Sequence, residues 1–288
     1  MNRMMLAVTI VLFTQIGSGQ SRYSVQDRET IRRTLEFSGS GTHILELDNV
    51  SGSIRVAGTN GNAVEMVAEK TIRAESQDRM LDAKRDVKLD ITDRAETVRI
   101  YVDGPFRSDG RDRTRSWSSR WSDPGYRVDV AFDIRVPQGV KLRLRTVNAG
   151  DVRVENTNGD FEVENVNGGI SMTDIRGSGS AHTVNGPVRV SFLENPKTAS
   201  SFKSINGEIE VTFQPNFSAE LQMKTFNGGL FTDFDVTSLP RTLKAGERIN
   251  GRYVYKGDQF NGFRVGNGGP EIKFDGFNGD IKVLRRTR

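Results

Sequence analysis

The chain of 288 residues contains no cysteine. That absence removes disulfide bonds, thiolate nucleophiles, cysteine-ligated zinc and lipid attachment through an N-terminal cysteine. It fits a protein made for an oxidising compartment, where a spare thiol risks a wrong bridge. Histidine is nearly as scarce, with only His43 and His182, far apart in sequence. A lone histidine on a strand is more often a satisfied residue than a catalyst. Tryptophan occurs twice and proline eight times. No His-Glu-x-x-His, P-loop, Gly-x-Ser-x-Gly or Ser-x-x-Lys signature is present, so the common hydrolase and nucleotide-binding chemistries lack their motifs. No cofactor is expected.

A strong charge of one sign is also missing. Lys and Arg total 41 against 37 Asp and Glu, a formal charge of +4. The two signs are interspersed, which reads as a solvated surface rather than a polyanion-binding patch. A nucleic-acid partner is not expected. The one long apolar run, Met4 to Phe13, follows Asn2 and Arg3 and precedes Gly17-Ser18-Gly19-Gln20. A basic start, a short apolar core and a small-x-small site predict a secretory signal peptide over residues 1–19. The run is too short for a comfortable membrane span. The mature chain is expected to start near Gln20, to have no membrane span, and to reach the periplasm, the cell surface or the medium.

What is abundant is glycine, 30 residues of it. Residues 20–40 are polar and Arg/Glu-rich and read as an irregular or weakly helical lead-in. From His43 the pattern alternates, with strands expected over Val64–Lys70, Val87–Thr92, Thr97–Val102, Tyr126–Val136 and Lys141–Val147. Residues 74–84, AESQDRMLDAK, predict one short helix, with Ser76 as cap and Met80, Leu81 and Lys84 at helical spacing. Residues 104–125, GPFRSDGRDRTRSWSSRWSDPG, have no period and read as a long exposed loop.

A repeat then takes over. Gly150, Asn158-Gly159, Asn167-Gly168, Arg176-Gly177 and Asn185-Gly186 recur every nine residues. Asn206-Gly207 and Asn227-Gly228 follow at 21-residue steps, then Asn250-Gly251 and Asn278-Gly279. The second and fourth residues after the glycine are apolar in most copies: Val152/Val154, Phe161/Val163, Ile170/Met172, Val188/Val190, Ile209/Val211, Ile281/Val283. Apolar-polar-apolar is a half-buried strand, and Asn-Gly is a turn pair because both residues tolerate positive φ. Repeated in tandem, the unit predicts an all-β solenoid over residues 41–285, one coil per 18–21 residues, each too small to stand alone. Stacking at about 4.8 Å closes the backbone hydrogen bonds and predicts an amide ladder of corner asparagines. Asp151, Asp160, Glu208 and Asp280 follow the glycines. One such ligand per corner falls short of the 6–8 oxygens calcium takes, and the calcium-binding nonapeptide pattern is absent.

The Val136-Pro137-Gln138-Gly139 turn, the Lys-Leu-x-Leu-x-Thr-Val-Asn segment after it and the tandem Asn-Gly-Asp units resemble the bacterial putative-adhesin family. The likeness spans roughly residues 40–285. It implies a β-solenoid-like domain of an exported protein and carries no catalytic motif. The 104–125 loop looks like an insertion peculiar to this chain.

Two features offer chemistry. In the loop, Arg107, Arg111, Arg113, Arg115 and Arg120 interleave with Trp117 and Trp121. Tryptophan stacks on sugar rings or seats at lipid headgroups, and arginine pairs with phosphate or carboxylate. Arg113, Arg115, Trp117, Arg120 and Trp121 are therefore the candidate ligand-binding residues. Asp233 and Asp235, read as sharing one strand face, are the nearest paired carboxylates. The terminal Arg285-Arg286-Thr287-Arg288 reads as a frayed basic end. The leading expectation is an exported, non-enzymatic, adhesin-like binding or structural protein of the cell envelope, with an envelope glycan or envelope protein as partner. A polysaccharide lyase or hydrolase on the same scaffold is the first alternative, and predicts acidic and basic groups converging in one groove. An envelope sensor or accessory protein that binds by an exposed strand edge is the second.

Overall fold

The computed structural model describes residues 22–107, 123–240, 247–249, 252–254 and 260–287. The segment 1–19 expected as a signal peptide, Asn250-Gly251, and Arg111, Arg113, Arg115, Trp117, Arg120 and Trp121 of the expected loop lie outside the described residues. In chain order the first elements are β1 (Val25–Glu36), β2 (Ile44–Asp48), β3 (Ile54–Thr59), β4 (Ala63–Ala74), α1 (Gln77–Asp86), β5 (Lys88–Arg94), β6 (Thr97–Asp103) and β7 (Tyr126–Pro137). The repeat region supplies β8 (Lys141–Thr146), β9 (Val152–Glu155), β10 (Phe161–Asn167), β11 (Ile170–Ile175), β12 (Gly179–Asn185), β13 (Val188–Phe192), β14 (Ser200–Asn206) and β15 (Ile209–Phe213). Last come β16 (Ala219–Lys224), β17 (Leu230–Thr232), β18 (Val236–Ser238), β19 (Glu247–Ile249), β20 (Arg252–Val254), β21 (Asn261–Val265), β22 (Glu271–Asn278) and β23 (Ile281–Arg285).

The class is all-β with one helix, and most strands fall into two large mixed sheets. One runs β1-β4-β7-β3-β9-β11-β13-β15-β23-β17, the other β18-β21-β16-β22-β14-β12-β10-β8-β2-β6-β5. Along the repeat the chain alternates between them, so each strand's parallel neighbours belong to the preceding and following copies. Leu142 pairs with Phe161, Phe161 with Gly179 and Ser180 with Ser201 in one sheet. Val152 pairs with Ile170, Ile170 with Val188 and Val188 with Ile209 in the other. Facing strands at one height form a level.

Alternation drives the packing. β8 buries Leu142, Leu144 and Thr146 and turns Arg143 and Arg145 outward, and β9 buries Val152 and Val154. Inward residues of both sheets meet in one core. Its centre is aromatic: Phe192 stacks on Phe213 at 5.2 Å, and Phe213 on Phe217 at 3.9 Å. Phe202 stacks on Phe274 at 5.5 Å.

Five sequence expectations change. The 20–40 segment, read as irregular or helical, holds the twelve-residue strand β1, antiparallel to β4 at the sheet edge. Only Val25, Ile31 and Leu35 of β1 face the core, too sparse a set to show period 2, so pairing with β4 decides its state. Its charges suit an edge, where they discourage pairing with another chain, and Asp27 binds Lys84 at 2.9 Å. The helix starts at Gln77, after Ser76, whose side chain accepts from the Arg79 backbone N–H. It buries Met80 and Ala83, while Leu81 points to solvent. Its C-cap carbonyl, Val87 O, accepts from the buried Lys70 ammonium at 2.6 Å. Burial pushes that lysine below its usual pKa.

The order of levels also departs from the sequence. A 21-residue step suggested that Gly228 follows Gly207 in the stack. Instead β22 and β23 lie between them: β14 pairs with β22 and β22 with β16, while β15 pairs with β23 and β23 with β17. The burial patterns give the reason. β23 buries Ile281 and Val283, as an interior level requires, whereas β17 offers one half-buried leucine and two exposed residues, which suits an edge. The basic C-terminus is held rather than frayed at Arg286. Its N–H donates to Phe213 O at 2.8 Å, and its guanidinium pairs with Asp174 at 2.8 Å and reaches Phe192 O at 3.2 Å. Finally, Asp233-Phe234-Asp235 is a bend between β17 and β18, not a strand face. Phe234 is buried there, and Asp233 accepts from the Arg285 backbone N–H.

Candidate functional site

The corners between the two sheets are built from backbone contact. The Asn and Gly of most pairs do not adopt positive φ; among non-glycine described residues only Ala95, Ala149, Asn156 and Asp174 do. Glycine is needed instead because successive levels touch there. A Cβ on Gly207 would stand 2.1 Å from Gly186 O. The positive-φ reason given for Asn-Gly at the corners is therefore corrected to close approach.

The asparagines of one corner type hold a continuous amide ladder. Asn167 Nδ2 donates to Asn148 Oδ1 at 2.8 Å, Asn185 to Asn167 at 2.7 Å and Asn206 to Asn185 at 2.8 Å. Asn278 donates to Asn206 at 2.8 Å and Asn227 to Asn278 at 2.7 Å. Asn158 belongs to the opposite corner, where Gln138, Asn158, Arg176 and Glu194 form a mixed row. Two residues before every ladder asparagine but Asn278, where Gly276 stands, an inward polar side chain bonds a glycine carbonyl of the neighbouring level. The series is Thr146 to Gly52, Asn165 to Gly150, Thr183 to Gly168, Ser204 to Gly186 and Thr225 to Gly279, at 2.8–3.1 Å. Polar residues at core-facing positions before an Asn were the signal for this second ladder. The post-glycine acids are structural in the same way: Asp151, Asp160 and Asp280 accept from the N–H of Gly169, Ser178 and Gly229. Asn185→Ala interrupts the exposed ladder at its middle. It should lower unfolding free energy by about 1 kcal/mol, read from the urea midpoint, and leave the fold intact.

The outer face of the sheet that carries β8 to β22 is organised in rows by this register. One row runs Asp48, Arg145, Glu164, His182, Lys203, Asp275, Lys224, nearly alternating in sign. Lys224 lies 3.0 Å and Lys203 3.9 Å from Asp275. His182 contacts Ser201 Oγ at 3.2 Å, and burial lowers its pKa against the pull of Glu164.

Beside the ladder runs the next outward row: Val147, Val166, Val184, Ile205, Phe277 and Phe226, each one residue before its asparagine. It is apolar throughout and changes character along the stack. The three valines are half-buried, whereas Ile205, Phe277 and Phe226 are 37%, 48% and 74% exposed. The two rings stack at 5.1 Å and 6°. With Lys203, Lys224 and Asp275 they line an open groove of about 620 Å³. The ammonium groups of Lys224 and Lys273 sit 4.7 and 4.3 Å from the Phe260 ring centroid. In the sequence an apolar residue precedes most Asn-Gly pairs, Thr157 before Asn158 being an exception, but the pattern does not show that it faces outward.

A second groove, of about 560 Å³, lies on the other sheet near the helix end. Arg55 faces Asp133 at 3.9 Å, Arg135 faces Glu65 at 3.9 Å, and Arg153 faces Asp151 at 3.4 Å. Arg107, the first arginine of the 104–125 segment, is structural. It pairs with Asp48 at 2.8 Å, donates to Val102 O and Asp48 O, and lies over Tyr101. His43 stacks on Phe37 and contacts Gly39 O. Among the described residues no group of three or more His, Asp or Glu is placed to hold a metal ion, and no helix is long and apolar enough to cross a membrane.

No protein-family model and no curated protein matches the chain. Solved structures similar to it include these three. One is described as a “putative cell adhesion protein” from Clostridium sporogenes, 10% identical, covering 90% of this chain and 100% of its own, with a TM-score of 0.39. Another is a “putative adhesin” from Bacteroides fragilis, 11% identical, covering 90% and 97%, with a TM-score of 0.37. A third is a “putative lipid binding protein” from Parabacteroides distasonis, 9% identical, covering 90% and 97%, with a TM-score of 0.32.

Proposed function

We propose that this chain is an exported, non-enzymatic, adhesin-like binding protein of the bacterial cell envelope, a β-solenoid whose binding surface is the apolar row ending at Phe277 and Phe226. One observation carries the reading. The repeat explains a valine in that row, because a valine is half covered by its neighbours. It does not explain phenylalanine at the most exposed places, since exposed contiguous apolar surface on a soluble protein marks an interaction site. Residues 1–19 supply the export signal, and an envelope glycan or an envelope protein fits the partner role. The Arg/Trp loop at 104–125 is the competing binding element.

The test is capture by peptidoglycan, purified envelope glycan and outer-membrane vesicles. Three proteins starting at Gln20 run in parallel: the parent, Phe226→Ser/Phe277→Ser, and a twin lacking residues 105–124. Loss of capture in the double variant alone is the expected result. Loss in the loop-deleted twin alone moves the site to the loop, and no capture of the parent rejects the binding role.

The charged groove at the helix end is where a second reading, a polysaccharide-active enzyme, would place its chemistry. Three of the groove's four carboxylates, Glu65, Asp133 and Asp151, each face an arginine, an arrangement in which they serve as ion-pair partners, and Glu69 is the fourth. Incubation with envelope polysaccharides should release no reducing ends. Release that Asp133→Asn abolishes would establish the enzyme reading instead.

A further inference from the structure

We propose that the Phe226/Phe277 end of the stack seats on an anionic lipid surface. The inference rests on reading these two rings as the binding site, and names what they meet.

Shape gives the first argument. Phe226 precedes the corner at Asn227-Gly228-Gly229, and Phe231 follows it on the other sheet, 50% exposed. The apolar side chains therefore stand on both sides of one corner. Ile205 and Phe277 continue the same ridge on the neighbouring levels. A sugar-binding platform presents an open ring face. Here the rings of Phe226 and Phe277 close one face of each against the other, and Phe226, 74% exposed, stands clear at the rim of the groove they line. A projecting apolar edge suits shallow entry between lipid headgroups, where only the tip leaves water.

Charge gives the second. Lys203 and Lys224 line the groove beside the rings on the outer face of the same sheet, with Asp275 between them. Two cations against one anion leave that rim positive. Lysine stems lie along apolar surface while their ammonium groups reach the headgroup plane. Each cation near an anionic leaflet adds attraction that salt screens.

Confinement gives the third. Of the large hydrophobic side chains exposed among the described residues, Ile205, Phe226, Phe231, Val236 and Phe277 belong to the levels and strands at this end of the stack, and only Leu81 and Phe106 lie elsewhere.

The test is co-sedimentation of the Gln20-onward protein with vesicles of phosphatidylcholine alone and of phosphatidylcholine with phosphatidylglycerol. The parent should bind the anionic vesicles and lose binding as salt rises. Phe226→Ser/Phe277→Ser should reduce partitioning about a hundredfold, since each buried ring contributes about 1.5 kcal/mol or more. Lys203→Gln/Lys224→Gln should reduce it about tenfold, only on anionic vesicles. These side chains are exposed or half-exposed, so unchanged thermal melts confirm that the variants fold. Equal sedimentation of parent and phenylalanine variant overturns the site itself. A parent that ignores both vesicles, while the phenylalanine variant still loses envelope capture, overturns the lipid surface and keeps the site. Equal binding to both vesicle types overturns the role of the lysines.

Discussion

Phe192→Ala should lower the unfolding free energy by about 3–5 kcal/mol, the cost of removing a large side chain from a packed core. Phe192 has no exposed surface. Its ring stacks on Phe213 at 5.2 Å, meets Phe202 edge-on at 6.3 Å and lies 6.4 Å from Phe161. These neighbours sit on strands of different levels, so none can move into the hole without opening a ladder of backbone hydrogen bonds. The cavity stays, and the lost contacts are not recovered. Equilibrium denaturation should show a lower midpoint with an unchanged slope. Ile205→Ala, at an exposed position, serves as the comparison and should stay within about 0.5 kcal/mol of the parent. A loss below 1 kcal/mol for Phe192→Ala would mean that the levels are loosely packed.

Gly207→Ala should cost about 3 kcal/mol, the upper end of what one added methyl group costs in a filled space. The new Cβ would lie 2.1 Å from Gly186 O, 2.4 Å from Gly186 C and 2.9 Å from Pro187 N. All three are backbone atoms, so no side chain can swing away. Relief requires the two levels to part. Gly186 N to Asn206 O and Val188 N to Glu208 O, each 2.9 Å, hold those levels together on either side of the clash. Gly139→Ala is the control: its Cβ would meet nothing within 4 Å, and stability should change by less than about 0.5 kcal/mol. Equal effects at the two positions would show that corner glycines serve turn conformation rather than close approach.

The candidate site is partly legible in the amino-acid sequence. Ile205, Phe226 and Phe277 stand out there as apolar residues preceding Asn-Gly. Their direction does not, because a period of two assigns alternate residues to opposite faces without saying which face is covered beyond a corner. The inward hydroxyls at Thr146, Thr183, Ser204 and Thr225 are hidden for a related reason. Their acceptors are glycine carbonyls of a neighbouring level, 15–94 residues away in the chain.

By itself the sequence determined what depends on near neighbours. Strand alternation, the nine-residue corner period, the Ser76 helix cap and the line of corner asparagines are local patterns, and each holds in the fold. Only the tertiary structure decided what depends on which surfaces meet. It made β1 an edge strand from three apolar residues, placed β22 and β23 between levels that precede them in the chain, and anchored Arg286 on Asp174. The physical reason is common to all three. A strand's place in a stack is set by how many inward side chains its neighbours can cover, and covering is a property of pairs of segments, not of either one alone.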